Sequence, residues 1–220
     1  MEMRLHRGGR WRSWLGARFG GDAALGDRVW RRCLHLFGVA VLLYYLLPVQ
    51  LAPWLSTEEV LLAALAMVIV LEIARHTVGV DLPTLREHEE HRVASYTWFA
   101  IGLVVAVLLF PRPIAVAAVL GTALVDPLIG ELRLSPARRR WYPAGAGAVY
   151  AGLALASFAF VGRWATLPSV AMAVVMTIVA LLVESPKLAW LDDDLTMTLV
   201  PGALATAVLF FAPGFPTFVP

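Results

Sequence analysis

Apolar residues fall in long, almost uninterrupted runs along this chain, and charges are gathered into the short stretches between them. The runs lie at Cys33–Leu51, Val60–Arg75, Ser95–Phe110, Pro113–Ile129, Ala144–Val161, Ala165–Val183 and Leu195–Phe211. Each approaches the roughly 20 mostly apolar residues that a bilayer-spanning helix needs. Seven such runs with short connections take up nearly all of the 220 residues. The pattern predicts an all-α integral membrane protein with about seven transmembrane helices in one bundle. Residues 1–30 then form a basic arm and residues 31–220 a single polytopic domain. The runs are rich in Ala, Val and Gly, a composition that lets membrane helices approach closely.

Charge gives this bundle a direction. Of the 18 Lys and Arg residues, only Arg112 and Arg163 fall in the linkers Pro48–Glu59, Pro111–Pro113 and Gly162–Leu167. Cytoplasmic loops retain Lys and Arg, so these linkers are expected outside. The arm and the segments His76–Ala94, Gly130–Pro143 and Glu184–Asp194 are then cytoplasmic. The amino terminus is inside and the carboxyl terminus outside. The same inner face takes every Asp and Glu except Glu58 and Glu59, out of 16. Orientation does not require those acids, so they call for another explanation.

Composition narrows the classes further. A hydrophobic content of 60% lies above the roughly 45–50% of soluble domains. The lone cysteine, Cys33, excludes an internal disulfide and a Cys-based metal site. No small-x-small cleavage site follows the first apolar run, so no cleavable signal is expected. The arm interleaves Trp11, Trp14, Leu15 and Phe19 with Arg10, Arg12 and Arg18. That mixture fits either a short amphipathic helix on anionic lipid headgroups or a basic tail that only enforces topology. The basic residues are accounted for in this way, so no nucleic-acid partner is expected, and nothing indicates an oligomer.

Three acidic constellations could carry chemistry. The fourth run ends Asp126-Pro127-Leu-Ile-Gly130-Glu131-Leu-Arg133. A carboxylate at membrane depth usually faces a polar cavity or a partner, although Asp126 could also cap the turn that Pro127 begins. Gly130 beside Glu131 and Arg133 would let backbone approach a phosphate, with Arg138, Arg139 and Arg140 close behind. The sixth run leads through Glu184 and Lys187, the only lysine, to Asp192-Asp193-Asp194-Leu-Thr196. One aspartate, Asp194, suffices as a helix N-cap, and the surplus suggests Mg²⁺, which takes a few carboxylates plus waters and phosphates. Glu72 and Arg75 end the second run three residues apart, the spacing of an ion pair on one helix face. The following segment, with Arg86, Glu87, His88, Glu89, Glu90, His91 and Arg92, reads as a solvated helix rather than a zinc site.

Taken in order, these segments resemble the CTP-dependent lipid-alcohol kinases: dolichol kinase, phytol kinase and the CTP-using diacylglycerol kinase, with archaeal dolichol kinase-like chains nearest. Arg31-Arg32-Cys-Leu-His35 is similar to that family's basic-basic-hydrophobic-hydrophobic-His opening, and Glu72-x-x-Arg75 to its Glu/Arg helix end. Arg86-Glu87-x-Glu89, Val93-Ala-Ser95-Tyr96 and Leu109-Phe110-Pro111 follow its next loop and span. Asp126-Pro127-x-x-Gly130 resembles its Asp-centred segment, and Leu191-Asp-Asp-Asp-Leu-Thr196 its Asp-Asp-Asn-Leu-Thr motif. The family's Gly-Lys-Ser/Thr-x-Glu-Gly segment has no counterpart. Here Arg138-Arg139-Arg140 lead instead to Gly145 and Gly147.

The resemblance implies transfer of the CTP γ-phosphate to the hydroxyl of a membrane lipid alcohol, with a polyprenol favoured. Asp126 and Asp192 to Asp194 would then be Mg²⁺ ligands, and Gly130, Arg133, Arg138, Arg139, Arg140 and Arg75 would hold phosphates. Glu72 or Asp126 would orient the lipid hydroxyl as base. The missing lysine segment motivates a second expectation, a non-catalytic membrane protein that binds a lipid, nucleotide or partner. Cytidylyl transfer to a lipid phosphate is a third.

Overall fold

The computed structural model describes residues 23–79, 89, 92–134, 136–184 and 192–211. The arm's aromatic–arginine stretch, the segment from Arg86 to Glu87 and Lys187 lie outside the described residues.

The described chain is a helical bundle. Helix α1, Ala23–Gly38, continues directly as a 3₁₀ helix, Val39–Tyr45. A short antiparallel hairpin follows, β1 Gln50–Ala52 with β2 Leu55–Ser56. Then come α2, Thr57–Val78, α3, Ser95–Leu109, and α4, Arg112–Leu120. A π-turn at Gly121–Val125 joins α4 to α5, Asp126–Arg133, and the short α6 is Pro136–Arg139. Helix α7, Ala144–Ala156, ends in a second π-turn, Ser157–Val161, before α8, Thr166–Glu184, and α9, Asp193–Phe211.

Four of these rods are long and apolar enough to cross a membrane: Arg112–Arg133, Ala144–Val161, Thr166–Glu184 and Asp193–Phe211. At 1.5 Å per residue the first is about 33 Å long, against a hydrocarbon core of about 30 Å. Helix α3 is a shorter apolar helix. The first run departs from the expected single span at Cys33–Leu51. Its helix begins earlier, at Ala23, tightens to 3₁₀ after Gly38, and ends before Pro48. Pro48 precedes the hairpin and Pro53 lies in its turn, and neither can donate to a helical ladder. The strands are therefore a local departure from the all-α expectation.

Helix α2 has well-defined ends. Ser56 accepts the Glu59 N–H at 3.1 Å while Glu59 accepts the Ser56 N–H at 2.7 Å, a reciprocal capping box. Glu58 and Glu59 thus sit where the helix dipole favours negative charge. At its other end Gly79 adopts the left-handed conformation, φ 72°, which costs glycine little.

The rod Arg112–Arg133 is the central one, with 61% of its apolar window buried against 33–39% for the other three. Its small residues make this packing feasible: Ala115, Ala117 and Ala118 are fully buried. Gly121 lies so close to the Tyr150 ring that a Cβ there would stand 2.2 Å from it. Tyr150, Phe158, Met172, Met176 and Met197 fill the core around it. The outer surface is apolar as well, with Phe37, Met67, Leu109, Leu182 and Phe210 among its exposed side chains. Apolar residues inside and outside are what a bundle solvated by lipid requires.

Candidate functional site

Three elements far apart in sequence meet at one end of the central rod. Asp126 opens α5 immediately after the π-turn. Pro127 has no N–H to give the carbonyl of Ala123, so the helical ladder must slip there, and the wide turn lies directly before it. Such π-turns often mark functional positions. Asp194 lies in the first turn of α9, and His35 near the end of α1.

The imidazole of His35 stands between the two carboxylates. Its Nε2 is 3.2 Å from Asp194 Oδ1 and 3.4 Å from Asp126 Oδ2. Its Nδ1 donates to the Arg31 carbonyl at 3.0 Å, which fixes the ring. Phe99 flanks the ring, with centroids 4.6 Å apart. Ligand atoms of His35, Asp126 and Asp194 all lie within 4.8 Å of one another, the spacing of a metal-ion site. His35 and Asp194 are buried and Asp126 is half-buried. Below them the Thr198 hydroxyl lies 2.7 Å from the Asp194 carbonyl and 2.9 Å from the Thr122 hydroxyl, tying α9 to the π-turn. A cleft lined by Arg31, Leu34, His35, Ser95, Tyr96 and Phe99 adjoins the cluster.

The three consecutive aspartates divide their work. Asp194 is not the N-cap expected of it. The helix starts at Asp193, and Asp192 accepts the Asp194 N–H at 3.1 Å from the capping position. This frees the Asp194 side chain to turn inward. Burial, and after it the negative charge of Asp194, pushes the Asp192 carboxyl up to about 8. Of the four expected metal ligands, Asp126 and Asp194 are brought together with His35, whereas Asp192 and Asp193 are outside that group.

Of the arginines expected at phosphates, Arg75, Arg133 and Arg138 are engaged with carboxylates. Arg133 holds Glu184 through two bonds of 2.6 and 2.7 Å and lies 4.3 Å from the Tyr142 ring centroid. Tyr142 also donates to Glu184, at 2.8 Å. Arg32 and Arg138 both pair with Glu131. Arg138, Arg139 and Arg140 are exposed, and Arg140 stands over Trp141. Gly130 lies within α5 with open space beside it, so no neighbouring side chain demands a glycine there.

Glu72 and Arg75 form a separate, buried station. Arg75 donates to Glu72 at 2.6 and 3.0 Å, and Glu72 also accepts the Ala94 N–H at 3.0 Å and the Tyr96 hydroxyl at 2.5 Å. Arg75 reaches on to the carbonyls of Glu89 and Arg92. Beyond each other, the pair thus holds the Ala94 N–H and the Tyr96 hydroxyl at the start of α3. Tyr96 and Glu89, which line the cleft beside His35, link it to the cluster.

His35 was legible only as the last letter of a flanking motif, since a lone histidine after Arg31-Arg32 also fits ordinary membrane flanking. Tyr96 was legible only as the last residue of the Val93-Ala-Ser95-Tyr96 segment, and Tyr142 carried no signal. No family model matches the chain, and neither a curated protein nor a solved structure matches it.

Proposed function

We propose that this protein is a nucleotide-dependent kinase that phosphorylates the hydroxyl of a membrane lipid alcohol, with CTP as donor and a polyprenol as the favoured acceptor. The observation that carries this reading is the meeting of His35, Asp126 and Asp194. Each belongs to one of three motifs that resemble the lipid-alcohol kinases, and the motifs are spread from Arg31 to Thr196. Four apolar rods support a membrane setting. Adding α1 with its 3₁₀ extension, α2 and α3 gives seven spans, with the cluster on the cytoplasmic side where a nucleotide arrives.

The residues fit a divalent cation: ligand atoms of two carboxylates and an imidazole converge within 4.8 Å of one another. Mg²⁺ is the ion expected from the carboxylates, and when bound it would neutralise phosphate charge as the phosphoryl group moves. The acceptor oxygen attacks the γ-phosphorus, the bond to the β-phosphate oxygen breaks, and CDP leaves. The hydroxyl proton passes to a carboxylate. Asp126 suits this role better than Glu72, whose oxygens already accept from Arg75, Tyr96 and Ala94. The exposed guanidiniums of Arg139 and Arg140, beside Arg138 on Glu131, would hold the nucleotide's phosphates as planar forked donors.

Purified protein supplied with CTP, Mg²⁺ and a panel of lipid alcohols is expected to yield lipid phosphate and CDP. Absence of lipid phosphate across the panel defeats the proposal. Pyrophosphate release would indicate cytidylyl transfer instead, and nucleotide binding without turnover a non-catalytic role.

A further inference from the structure

We infer that the His35–Asp126–Asp194 cluster is a resident site for a first-row divalent transition ion of the Mn²⁺ class, held in preference to Mg²⁺ and without nucleotide. This deepens the proposed kinase reading by naming the ion. It rests on that reading only in sharing its pocket.

The donor set carries the inference. Mg²⁺ favours oxygen ligands and sheds water reluctantly, whereas an imidazole nitrogen suits transition ions. Here one of three convergent donors is a nitrogen, and its placement is not incidental. Nδ1 of His35 donates to the Arg31 carbonyl at 3.0 Å, so the nitrogen facing the carboxylates is Nε2. Metal-binding histidines are oriented in this way, with the second nitrogen donating to a carbonyl or carboxylate. Nε2 then faces oxygens of Asp126 and Asp194 at 3.4 and 3.2 Å. The imidazole nitrogen and the two carboxylates thus converge within 4.8 Å of one another. A metal ion between them would take a carboxylate from each of two helices and a nitrogen from a third.

The cage is also anchored from behind. Phe99 limits the tilt of the imidazole. Asp192 holds the first turn of α9, and Thr198 and Thr122 join that helix to the π-turn bearing Asp126. The ligands therefore cannot drift apart without breaking contacts that lie outside the cluster.

The test uses the full chain in detergent, loaded with Mn²⁺ alone and read by electron paramagnetic resonance. Bound Mn²⁺ should show nitrogen hyperfine coupling, and displacing it should take on the order of 10-fold more Mg²⁺ than the Mn²⁺ present. His35→Gln should remove the coupling and equalise the two ions, and Asp194→Asn should lower Mn²⁺ affinity by roughly 10–100-fold. Glu59→Gln, at the exposed capping box of α2 and outside the cluster, should change neither. Mn²⁺ that fails to bind, or binds without nitrogen coupling, overturns the inference and leaves an imidazolium between two carboxylates. Because the coupling is measured on the unaltered protein, a variant that fails to fold does not blunt the test. Mn²⁺ bound with nitrogen coupling but no lipid phosphate formed would overturn the kinase and retain the ion site. Turnover without Mn²⁺ preference would do the reverse.

Discussion

Glu72 and Arg75 show why a residue's partners matter more than its type. Both side chains are almost entirely buried, 7% and 5% exposed, and such a pair gains little over apolar replacements of its own size. Removing one member is another matter, because it strands the other's charge away from water. Glu72→Gln keeps the shape and an acceptor for Tyr96 but leaves the Arg75 guanidinium uncompensated. It should destabilise the protein by about 3–5 kcal/mol, read as a fall in the thermal unfolding midpoint in detergent. Glu59→Gln, at the exposed capping box of the same helix, should cost no more than about 1 kcal/mol. Similar losses for the two would show that the buried pair is not the structural clamp described above. This clamp also explains a limit of the sequence. The i, i+3 spacing of Glu72 and Arg75 announced an ion pair, but Tyr96 and the carbonyls of Glu89 and Arg92 lie 14 to 24 residues further along the chain. Nothing in the sequence couples those positions.

At the level of elements, apolar runs mark helices well and mark helix geometry poorly. The run Ala144–Val161 coincides with an apolar rod, and Ser95 begins a helix as expected. Hydropathy carries no trace of the π-turn at Gly121–Val125 or of the 3₁₀ stretch after Gly38, because both depend on what lies alongside. For the site, the carboxylates were legible because charges are costly in an apolar context. Which of three adjacent aspartates turns inward was decided by where α9 starts. The π-turn yields a prediction of its own. Gly121 begins it, and the Tyr150 ring occupies the space a side chain would need. Gly121→Ala forces the ring or the turn to move, at a cost of about 1–3 kcal/mol from overpacking. Tyr150→Ala alone opens a void in the core and should also destabilise. Combined, the two should be less harmful than the sum of their separate effects, since each relieves the other. Additive unfolding midpoints would show that this contact does not set the approach of α7 to the central rod.

For the whole molecule, the division of charge should become a measurable orientation. The segments bearing Arg31, Arg32, Arg133 and Arg138 to Arg140 are expected on the inside, and the hairpin with Trp54 and the turn with Arg163 on the outside. The lone cysteine makes this testable, since Cys33 is free and a Cys33→Ser background leaves no thiol. Gln50 and Arg139 are both exposed and lie at opposite ends of the proposed bundle. In intact cells a membrane-impermeant maleimide should label Gln50→Cys at once and Arg139→Cys only after permeabilisation. The opposite pattern would invert the bundle and carry the His35–Asp126–Asp194 cluster to the outer face, away from the cytosolic nucleotide. Labelling of both from outside would mean that an odd number of spans does not separate them. Either result would remove the setting on which the kinase proposal depends, whereas the expected pattern puts the acidic mouth, the exposed arginines and the cleft beside Tyr96 on the side where CTP is made.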